Sequence, residues 1–483
     1  MKRFLWPGLN KFHDPECDAL LPEQAPLGCP FFGNNILAGS KKKGSEYFYS
    51  EASKKLGHPN IWRFYFMGYP VISVSGSKNV NTILQSKKFN IMGWSGDEKA
   101  KKKRKEATLY SSNSVMFEHD REKHQYLRHL LGPAFTPQSV RKGINAIVLA
   151  AEEQLSVLKK GQSVKMEDVC ENFALDIAWR QIIGLDLKDQ YEIARFHKAV
   201  NAYVSGVFSV GAYLPDNIPF KTLLPPYRAR KYLVHKIKEK IADLETNGPD
   251  GSTLSAMVFS TEHVEDVDAN VTRLSDEDII ENALILLVAG TETTASTLTS
   301  AISFLGLHPD VFEKLRKEQV EIISLHGENI TPEILHKSSF LESVIQETLR
   351  IVPVSGTNLR KAEETVVLDG KQIPKGSAVF CNIRLTHELD PQVKSETWTD
   401  FCPERWLDDN TKPKEDFLPF GSGSRRCIGA SLAMAEMRVF LSLFARKAKK
   451  FKLDGAGKRR EILWRPTSII PKPDNGVPII LDD

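Results

Sequence analysis

The chain has 483 residues, of which 41% are hydrophobic and 26% are charged, a composition typical of a globular protein. The formal net charge of +4 is too small to indicate nucleic-acid binding. No apolar stretch reaches the roughly 18 residues of a transmembrane helix, and the basic N-terminus lacks the apolar core of a secretory signal. We therefore expect a cytoplasmic protein or one in peripheral contact with a membrane.

The cysteines argue against disulfides and zinc. No two lie within three residues of each other, so the spacing of a zinc ribbon or a redox dithiol is absent. Six cysteines in so long a chain also make a disulfide framework improbable. Each is expected to be a reduced, buried side chain, except where its surroundings argue otherwise. They are Cys17, Cys29, Cys170, Cys381, Cys402 and Cys427.

The N-terminal third offers few regular elements. Residues 22–33 are rich in Pro and Gly and predict a turn-rich entry segment. The alternation in Val71–Ser75 predicts a strand. The run Lys99–Lys105 holds six basic residues in seven. It is either a solvated loop or a docking surface for an acidic partner or anionic lipid.

Helical periodicity dominates from about residue 140 onward. The exceptions are the Pro-rich stretch 214–226 and the segments 364–384 and 462–482, which predict short strands and turns. No repeat and no long linker divides the chain. We predict a mainly α fold with a small β part, in which a lead segment (1–20) precedes one large domain (21–483).

A long helix is predicted between Ser275, a cap followed by three acids, and Pro309, a natural stop. Its roughly 30 residues would extend about 45 Å at 1.5 Å per residue. The first half, Ile279–Val288, is apolar nearly all round and should be buried. Seven of the ten residues 291–300 are Ser or Thr, which are mediocre helix formers.

The middle of this helix, Ala289–Thr294, allows two interpretations. In one, it is a kinked core helix whose threonine hydroxyls bond back to carbonyls, Thr293 to Ala289. In the other, Gly290 opens a groove for a small ligand, and Thr293 with Glu292 relays protons. A carboxylate in a buried stretch is costly unless it is paired or functional.

Two further motifs concern charge and sulfur. Glu347 and Arg350 share one helix face. They form either a surface ion pair or, together with Arg405, a buried cluster.

Residues 420–429 hold Cys427 in a Gly- and Ser-rich loop before a good helix, 430–447. There the helix dipole and Arg425 favour a thiolate. A buried structural cysteine is the alternative, and a phosphate loop would need a lysine that is missing.

Taken together, these motifs resemble the cytochrome P450 family from about residue 20 to the end. Phe420, Gly423, Arg425, Cys427 and Gly429 match its haem-binding segment F-x-x-G-x-R-x-C-x-G. Residues 289–294 match its oxygen-binding helix, with Glu where Asp is more usual. Glu347–Arg350 matches E-x-x-R, and 403–406 matches P-E-R-F with Trp for Phe. All four motifs occur in the order of the family.

The resemblance implies haem b with Cys427 as axial ligand of its iron. It assigns haem contacts to Phe420, Gly423, Arg425, Gly429, Ala289 and Gly290, and propionate contacts to His124, Arg128 and Arg360. A His in place of the usual Trp resembles retinoic acid hydroxylases of animals, a cyanobacterial retinoid hydroxylase and sterol demethylases. The substrate pocket would be lined by Leu286, Ala289, Val352, Val354, Ser355 and Ile469.

The function implied is a monooxygenase that inserts one atom of O₂ into an apolar retinoid, isoprenoid or sterol. Thr293 and Glu292 would deliver the protons. Electrons would come from a ferredoxin or an NADPH-dependent flavoprotein reductase, and we expect a monomer. Basic residues could dock that partner: Arg121, Lys123, Arg438, Lys447 and Lys449. The alternatives are a peroxide-dependent isomerase or dehydratase, which commonly lacks the Thr–acid pair, and a non-catalytic haem sensor.

Overall fold

A computed structural model describes residues 13–25, 46–66, 69–91, 109, 113–207, 223–260, 274–393, 400–413, 417–455, 462–465 and 470–482. The run Lys99–Lys105, Cys29 and the predicted pocket residue Ile469 lie outside these ranges.

Helices form most of the described structure. In chain order they are α1 (Glu46–Lys55), α2 (Ser77–Gln85), α3 (Arg121–Leu131), α4 (Pro137–Lys142), α5 (Ile144–Leu155), α6 (Met166–Ile177), α7 (Gln190–Val207), α8 (Pro225–Asn247), α9 (Thr253–Val258), α10 (Asp276–Leu307), α11 (Pro309–His326), α12 (Pro332–Leu335), α13 (Ser339–Ile351), α14 (Ile383–Glu388) and α15 (Ala430–Lys447). A π-helical turn continues α6, and short 3₁₀ turns lie at Gly132–Phe135, Pro403–Trp406 and Gly423–Arg425.

Strands form three small sheets. They are β1 (Glu23–Gln24), β2 (Ile61–Phe66), β3 (Tyr69–Val74), β4 (Phe89–Ile91), β5 (Ser163–Lys165), β6 (Thr357–Ala362), β7 (Val366–Leu368), β8 (Lys371–Ile373), β9 (Ala378–Asn382), β10 (Phe451–Leu453) and β11 (Pro478–Leu481). The largest sheet has the order β1-β2-β3-β9-β6-β4; the others are β10-β11-β5 and the hairpin β7-β8. The mainly α fold with a small β part is therefore confirmed.

The register of the large sheet joins distant parts of the chain. β2 pairs antiparallel with β3, Ile61 opposite Val74. β3 then pairs in parallel with β9, Val71 opposite Ala378. The sheet therefore fixes the N-terminal strands against the segment that follows α13.

Helix α10 is the axis of the helical part. The Ser275 hydroxyl accepts a hydrogen bond from the Asp278 N–H and caps its start. Its 32 residues extend about 48 Å. It packs against α6, the π-helical turn, α13 and α15, and 23 of its 32 residues are buried. The predicted bounds, between Ser275 and Pro309, are correct.

The core is divided between the helices and the large sheet. One hydrophobic cluster is shared by the helices from α3 to α15. Two smaller clusters cover the large sheet, one of them around Trp62 and Phe64. Within the described ranges, no helix is long and apolar enough to cross a membrane.

Candidate active site

The loop before α15 is a tight turn that needs glycine at one position. Gly423 has φ +71°, and a Cβ there would lie 2.4 Å from the backbone oxygen of Leu84. The Cys427 N–H donates to the carbonyl of Phe420 across the loop at 3.0 Å. The Phe420 side chain packs against the helical core. The loop is thus fixed between α2 and α15, with Cys427 at its end.

Cys427 lies three residues before the first residue of α15, and its side chain is exposed. The loss of hydration around the sulfur nevertheless raises the pKa of the thiol. A hydrogen bond from the Gly429 N–H and the charges of Arg426 and Arg128 act in the opposite direction but do not outweigh it. A backbone N–H directed at the sulfur and nearby guanidiniums favour a thiolate. Coordination to a metal ion would deprotonate the thiol outright.

Three arginines come together close to this loop. Arg128 donates to the Arg426 carbonyl at 2.8 Å, and Arg425 to the Glu118 carbonyl at 2.5 Å. Arg360 is 7% exposed and donates to the Leu359 carbonyl at 2.9 Å. Among the described residues, none of the three forms an ion pair with a carboxylate. Burial, followed by the neighbouring charge of Arg360, lowers the pKa of Arg425 to about 10.

His124 lies among these cations. It is 4% exposed on α3, and burial, followed by Arg425, Arg128 and Arg360, lowers its pKa to about 4. The imidazole is therefore neutral at pH 7 and adds a hydrogen-bond donor without adding a charge.

These residues fit a haem. Arg360 is buried, and Arg128 and Arg425 are partly buried. Guanidiniums removed from water whose partners are backbone carbonyls favour anionic partners, and two propionates would supply two negative charges. The sulfur of Cys427 is the type of ligand that haem iron takes in thiolate enzymes. Haem b would therefore have its iron on Cys427 and its propionates among Arg128, Arg360, Arg425 and His124.

The Glu347 cluster is buried and close to complete. Glu347 is 0% and Arg350 1% exposed, with the Arg350 Nε 2.8 Å from Glu347 Oε2. The Arg405 Nε lies 2.9 Å from Glu347 Oε1. The Trp406 indole N–H and the Cys402 N–H donate to the same carboxylate at 2.9 and 3.1 Å. The cluster fixes α13 against the 3₁₀ turn that contains Arg405.

His387 links the Glu347 cluster to Leu418, two residues before the loop 420–429 that carries Cys427 (the cysteine loop). The sequence did not predict this role. Its Nδ1 lies 3.1 Å from the Arg350 carbonyl, and its Nε2 accepts from the Leu418 N–H at 2.9 Å. Burial lowers its pKa to about 3. It is therefore a neutral imidazole that donates through Nδ1. Because both partners are backbone groups, no sequence pattern marks it.

Helix α10 is open at one place. Ile279–Val288 and Thr294–Leu305 are buried, but Ala289, Gly290, Glu292 and Thr293 between them are only partly buried. The Thr293 hydroxyl donates to the Ala289 carbonyl at 2.7 Å. A Cβ at Gly290 would make ordinary contacts with the π-helical turn at Ile182 and Ala178. The neighbour of Gly290 is thus another helix.

The Glu292 carboxylate is ion-paired. Its Oε2 lies 2.6 Å from the Nζ of Lys472, and both side chains are mostly buried. Of the other predicted pocket residues, Leu286 and Val352 are buried, Val354 is partly buried and Ser355 is exposed. Nothing in the sequence pattern around residue 472 indicated this pairing.

Fold and site together define the class of haem-thiolate proteins. The model of the family described as Cytochrome P450 matches residues 22–473. The chain therefore belongs to the cytochrome P450 family.

The relatives agree along most of the chain. Cytochrome P450 26A1 of Gallus gallus is 28% identical over 460 residues, covering 92% of this chain and 87% of the relative. Abscisic acid 8'-hydroxylase 2 of Arabidopsis thaliana is 26% identical, covering 94% and 88%. The structure of retinoic acid-bound cyanobacterial CYP120A1 matches with a TM-score of 0.77 at 24% identity, covering 96% of this chain and 99% of that one.

Membership confirms the haem b cofactor and the class of reaction. The protein is a monooxygenase that acts on a small substrate with O₂ and with electrons from a redox partner.

Proposed function

We propose that this monooxygenase hydroxylates an isoprenoid substrate of about the size of a retinoid. The middle of α10 carries the proposal: between its end turns this buried helix stays partly exposed at four positions, Ala289, Gly290, Glu292 and Thr293. A substrate and O₂ would reach the helix at this point. Two similar proteins have names that include retinoic acid and abscisic acid, which are both isoprenoids.

Cys427, Arg128, Arg360, Arg425 and His124 would hold the cofactor. Haem, when bound, supplies the activation of O₂ and the transfer of an oxygen atom. Cys427 would hold the iron as a thiolate, the ligand type that supports this chemistry. The guanidiniums and the neutral imidazole would orient the propionates by charge-assisted and neutral hydrogen bonds.

Thr293 and Glu292 would handle the protons. The Thr293 hydroxyl now donates to the Ala289 carbonyl at 2.7 Å, so its oxygen can accept a further hydrogen bond from water or ligand. Glu292 is one residue away, and the 12% of its side chain that stays exposed is enough for the carboxylate to exchange protons with water. A haem isomerase or sensor needs neither group.

The electron donor is proposed to dock on exposed lysines of the α15 end. Of the basic residues predicted to dock a partner, Arg121 pairs with Glu363, Lys123 with Asp278 and Arg438 with Glu342. Lys447 and Lys449 are exposed and have no ion pair within the part of the chain described. An acidic ferredoxin or flavoprotein reductase would fit them.

We also propose a monomer with one domain over residues 21–483.

A spectral screen of the purified holoenzyme tests the substrate class. Retinoic acid, abscisic acid, a sterol and a fatty acid would each be titrated, with the Soret shift reporting loss of the iron's distal water. We expect saturable shifts from the isoprenoid acids and a hydroxylated product when reductant is supplied. A shift and product from the fatty acid alone would contradict the proposed substrate.

Thr293→Ala tests the proton role. This variant should keep substrate binding but divert reducing equivalents from product to hydrogen peroxide. An unchanged ratio of product to NADPH consumed would instead favour a reaction that needs no proton delivery at this position.

A further inference from the structure

The carboxylate assigned to proton delivery is held in a buried ion cluster. Lys472 Nζ lies 2.6 Å from Glu292 and 2.8 Å from Glu171, a residue of α6. Only 14% of the Lys472 side chain and 12% of that of Glu292 are exposed. Ion pairs so shielded from water are stronger than surface pairs, and removing one partner leaves a costly buried charge.

The cluster continues from Lys472 toward the surface. Glu167, 5% exposed, lies 3.9 Å from Lys472 and accepts two hydrogen bonds from Arg465, at 2.7 and 2.5 Å. Lys165 lies 3.5 Å from Glu167. The carboxylates of Glu167, Glu171 and Glu292 thus face the cations Lys165, Arg465 and Lys472, so the cluster is balanced. Asp168, 62% exposed, meets only Lys165 at its edge.

Lys472 is held in place by its own backbone segment. The carbonyl of Pro471 accepts a hydrogen bond from the Ser296 hydroxyl. Ser296 lies four residues after Glu292, on the same face of α10. Lys472 and Pro471 therefore contact one face of α10 one turn apart. A lysine fixed in this way sets where its partner carboxylate lies.

The charges also keep Lys472 protonated. Burial alone would lower its pKa, but Glu292 and Glu171 outweigh that effect and the pKa is raised. For Glu171, burial raises the pKa in spite of Lys472. Without Lys472, the three carboxylates would face only the two cations Lys165 and Arg465. One of the three carboxylates would then take up a proton.

We propose that Lys472 is a positioning residue for the monooxygenase reaction, because its Nζ, 2.6 Å from Glu292 Oε2, fixes that carboxylate beside Thr293. The proposal rests on the proton role proposed for Glu292. Lys472 touches neither substrate nor haem in this assignment. It acts by setting the orientation of Glu292 and by compensating the negative charge of the neighbouring carboxylates.

Infrared spectroscopy of the holoenzyme reports directly whether the carboxyl groups around Lys472 are protonated. In Lys472→Met, the C=O stretch of a protonated carboxylic acid should appear at neutral pH and shift in D₂O. This band should be additional to that of the buried Glu436, whose raised pKa keeps a protonated carboxyl group in the parent as well, and it should be absent from Lys472→Met/Glu292→Gln. Lys452→Met is the matched control, because Lys452 forms an exposed pair with Asp482 near the same terminus. A parent-like Lys472→Met spectrum would overturn the proposal.

Catalytic coupling supplies the second readout. Lys472→Met should lower the product formed per NADPH roughly tenfold to a hundredfold, the loss expected from misplacing a proton donor, and should enlarge the solvent isotope effect. The spectral Kd for substrate should stay near the parent value. Lys472→Arg should restore most of the coupling. Should Lys472→Met fold poorly, Lys472→Met/Glu171→Gln restores the charge balance and should uncouple in the same way.

Glu292→Gln separates the proposed proton role of Glu292 from the proposed positioning role of Lys472. If Glu292→Gln leaves coupling unchanged, the proposed proton role of Glu292 is wrong and the role of Lys472 falls with it. If Glu292→Gln uncouples the enzyme while Lys472→Met and Lys472→Met/Glu171→Gln do not, only the role of Lys472 is wrong.

Discussion

Glu347 shows how one buried carboxylate can join separate parts of this chain. It accepts hydrogen bonds from Arg350 on its own helix and from Arg405, Trp406 and Cys402 beyond residue 400. A buried charge survives only where its lone pairs are satisfied, and here they are. The carboxylate therefore fixes the segment that precedes the cysteine loop.

Glu347→Gln should destabilise the protein severely. Arg350 and Arg405 would keep their charges and lose their carboxylate, at a cost of about 3–5 kcal/mol in the free energy of unfolding. Denaturant unfolding and haem content per chain measure this. Glu342→Gln on the same helix is the control, because its pair with Arg438 is partly exposed and is worth at most about 1 kcal/mol. Equal losses in the two variants would argue against a special role for the buried cluster.

Gly423→Ala should prevent the cysteine loop from closing. The new Cβ would meet the Leu84 backbone oxygen at 2.4 Å in a left-handed conformation. Gly455 has φ +68° and open space around it, so Gly455→Ala should cost only the roughly 1–2 kcal/mol of backbone strain. We expect a larger fall in stability, and loss of haem, for Gly423→Ala. Matching unfolding midpoints would exclude the close approach to Leu84.

Residues of this kind differ in how far the sequence reveals them. Cys427, Glu347 and Arg350 occur in short motifs whose spacing carries chemical meaning, so they could be predicted. His387 and Lys472 could not. Their partners are backbone groups or carboxylates brought close only by the tertiary fold, and no local pattern records such a contact.

Among the elements, α10 and α15 follow their sequence signals closely. The Ser275 cap and the stop at Pro309 bound α10, and α15 covers residues 430–447 as predicted. The hydroxyls of α10 bond back to carbonyls four residues earlier, as at Thr293 and Thr299. Helices α1 to α3, before residue 140, were not predicted, since tertiary packing rather than local signals stabilises helices of only 9–11 residues.

Glu436 joins α15 to α10 and should make stability depend on pH. It is 3% exposed. Burial raises its pKa from 4.5 to about 8, although a hydrogen bond with Thr294 lowers it. Between those pH values the folded protein keeps a proton that the unfolded chain releases, so the stability of the fold falls as pH rises.

Glu436→Gln should remove this dependence. Relative to the variant, the parent should lose up to about 1.4 kcal/mol per pH unit between roughly pH 5 and pH 8. Denaturant unfolding at several pH values measures the difference. Thr294→Val, which keeps the carboxyl group, should retain the slope. Parallel curves for the parent and Glu436→Gln would show that Glu436 does not hold this proton.

The whole molecule brings together segments that are far apart in sequence. The large sheet pairs β3 with β9 some 300 residues later, and β11 pairs with both β10 and the distant β5. The sequence predicted the mainly α class and the small β part. It did not predict these pairings, because register over such separations depends on the packing of the complete chain.

Two exposed lysines, Lys447 at the end of α15 and Lys449 just after it, should affect electron transfer. Reversing both charges, as in Lys447→Glu/Lys449→Glu, should slow reduction by an acidic ferredoxin roughly tenfold at low salt and flatten its dependence on ionic strength. Stopped-flow reduction measures this, and Lys231→Glu/Lys238→Glu, which reverses two exposed lysines on α8, controls for net charge. If this control slows reduction as much as Lys447→Glu/Lys449→Glu, the docking site lies elsewhere.

The central claim is that Cys427 holds the iron as a thiolate. The direct measurement is the Soret band of the reduced carbon monoxide complex, compared between the parent and Cys427→His, with circular dichroism to confirm folding. The parent should show the red-shifted band that a thiolate ligand produces, and the variant should lose it while still binding haem. A variant that keeps the parent's band would show that another residue is the ligand, and would contradict the assignment of the site.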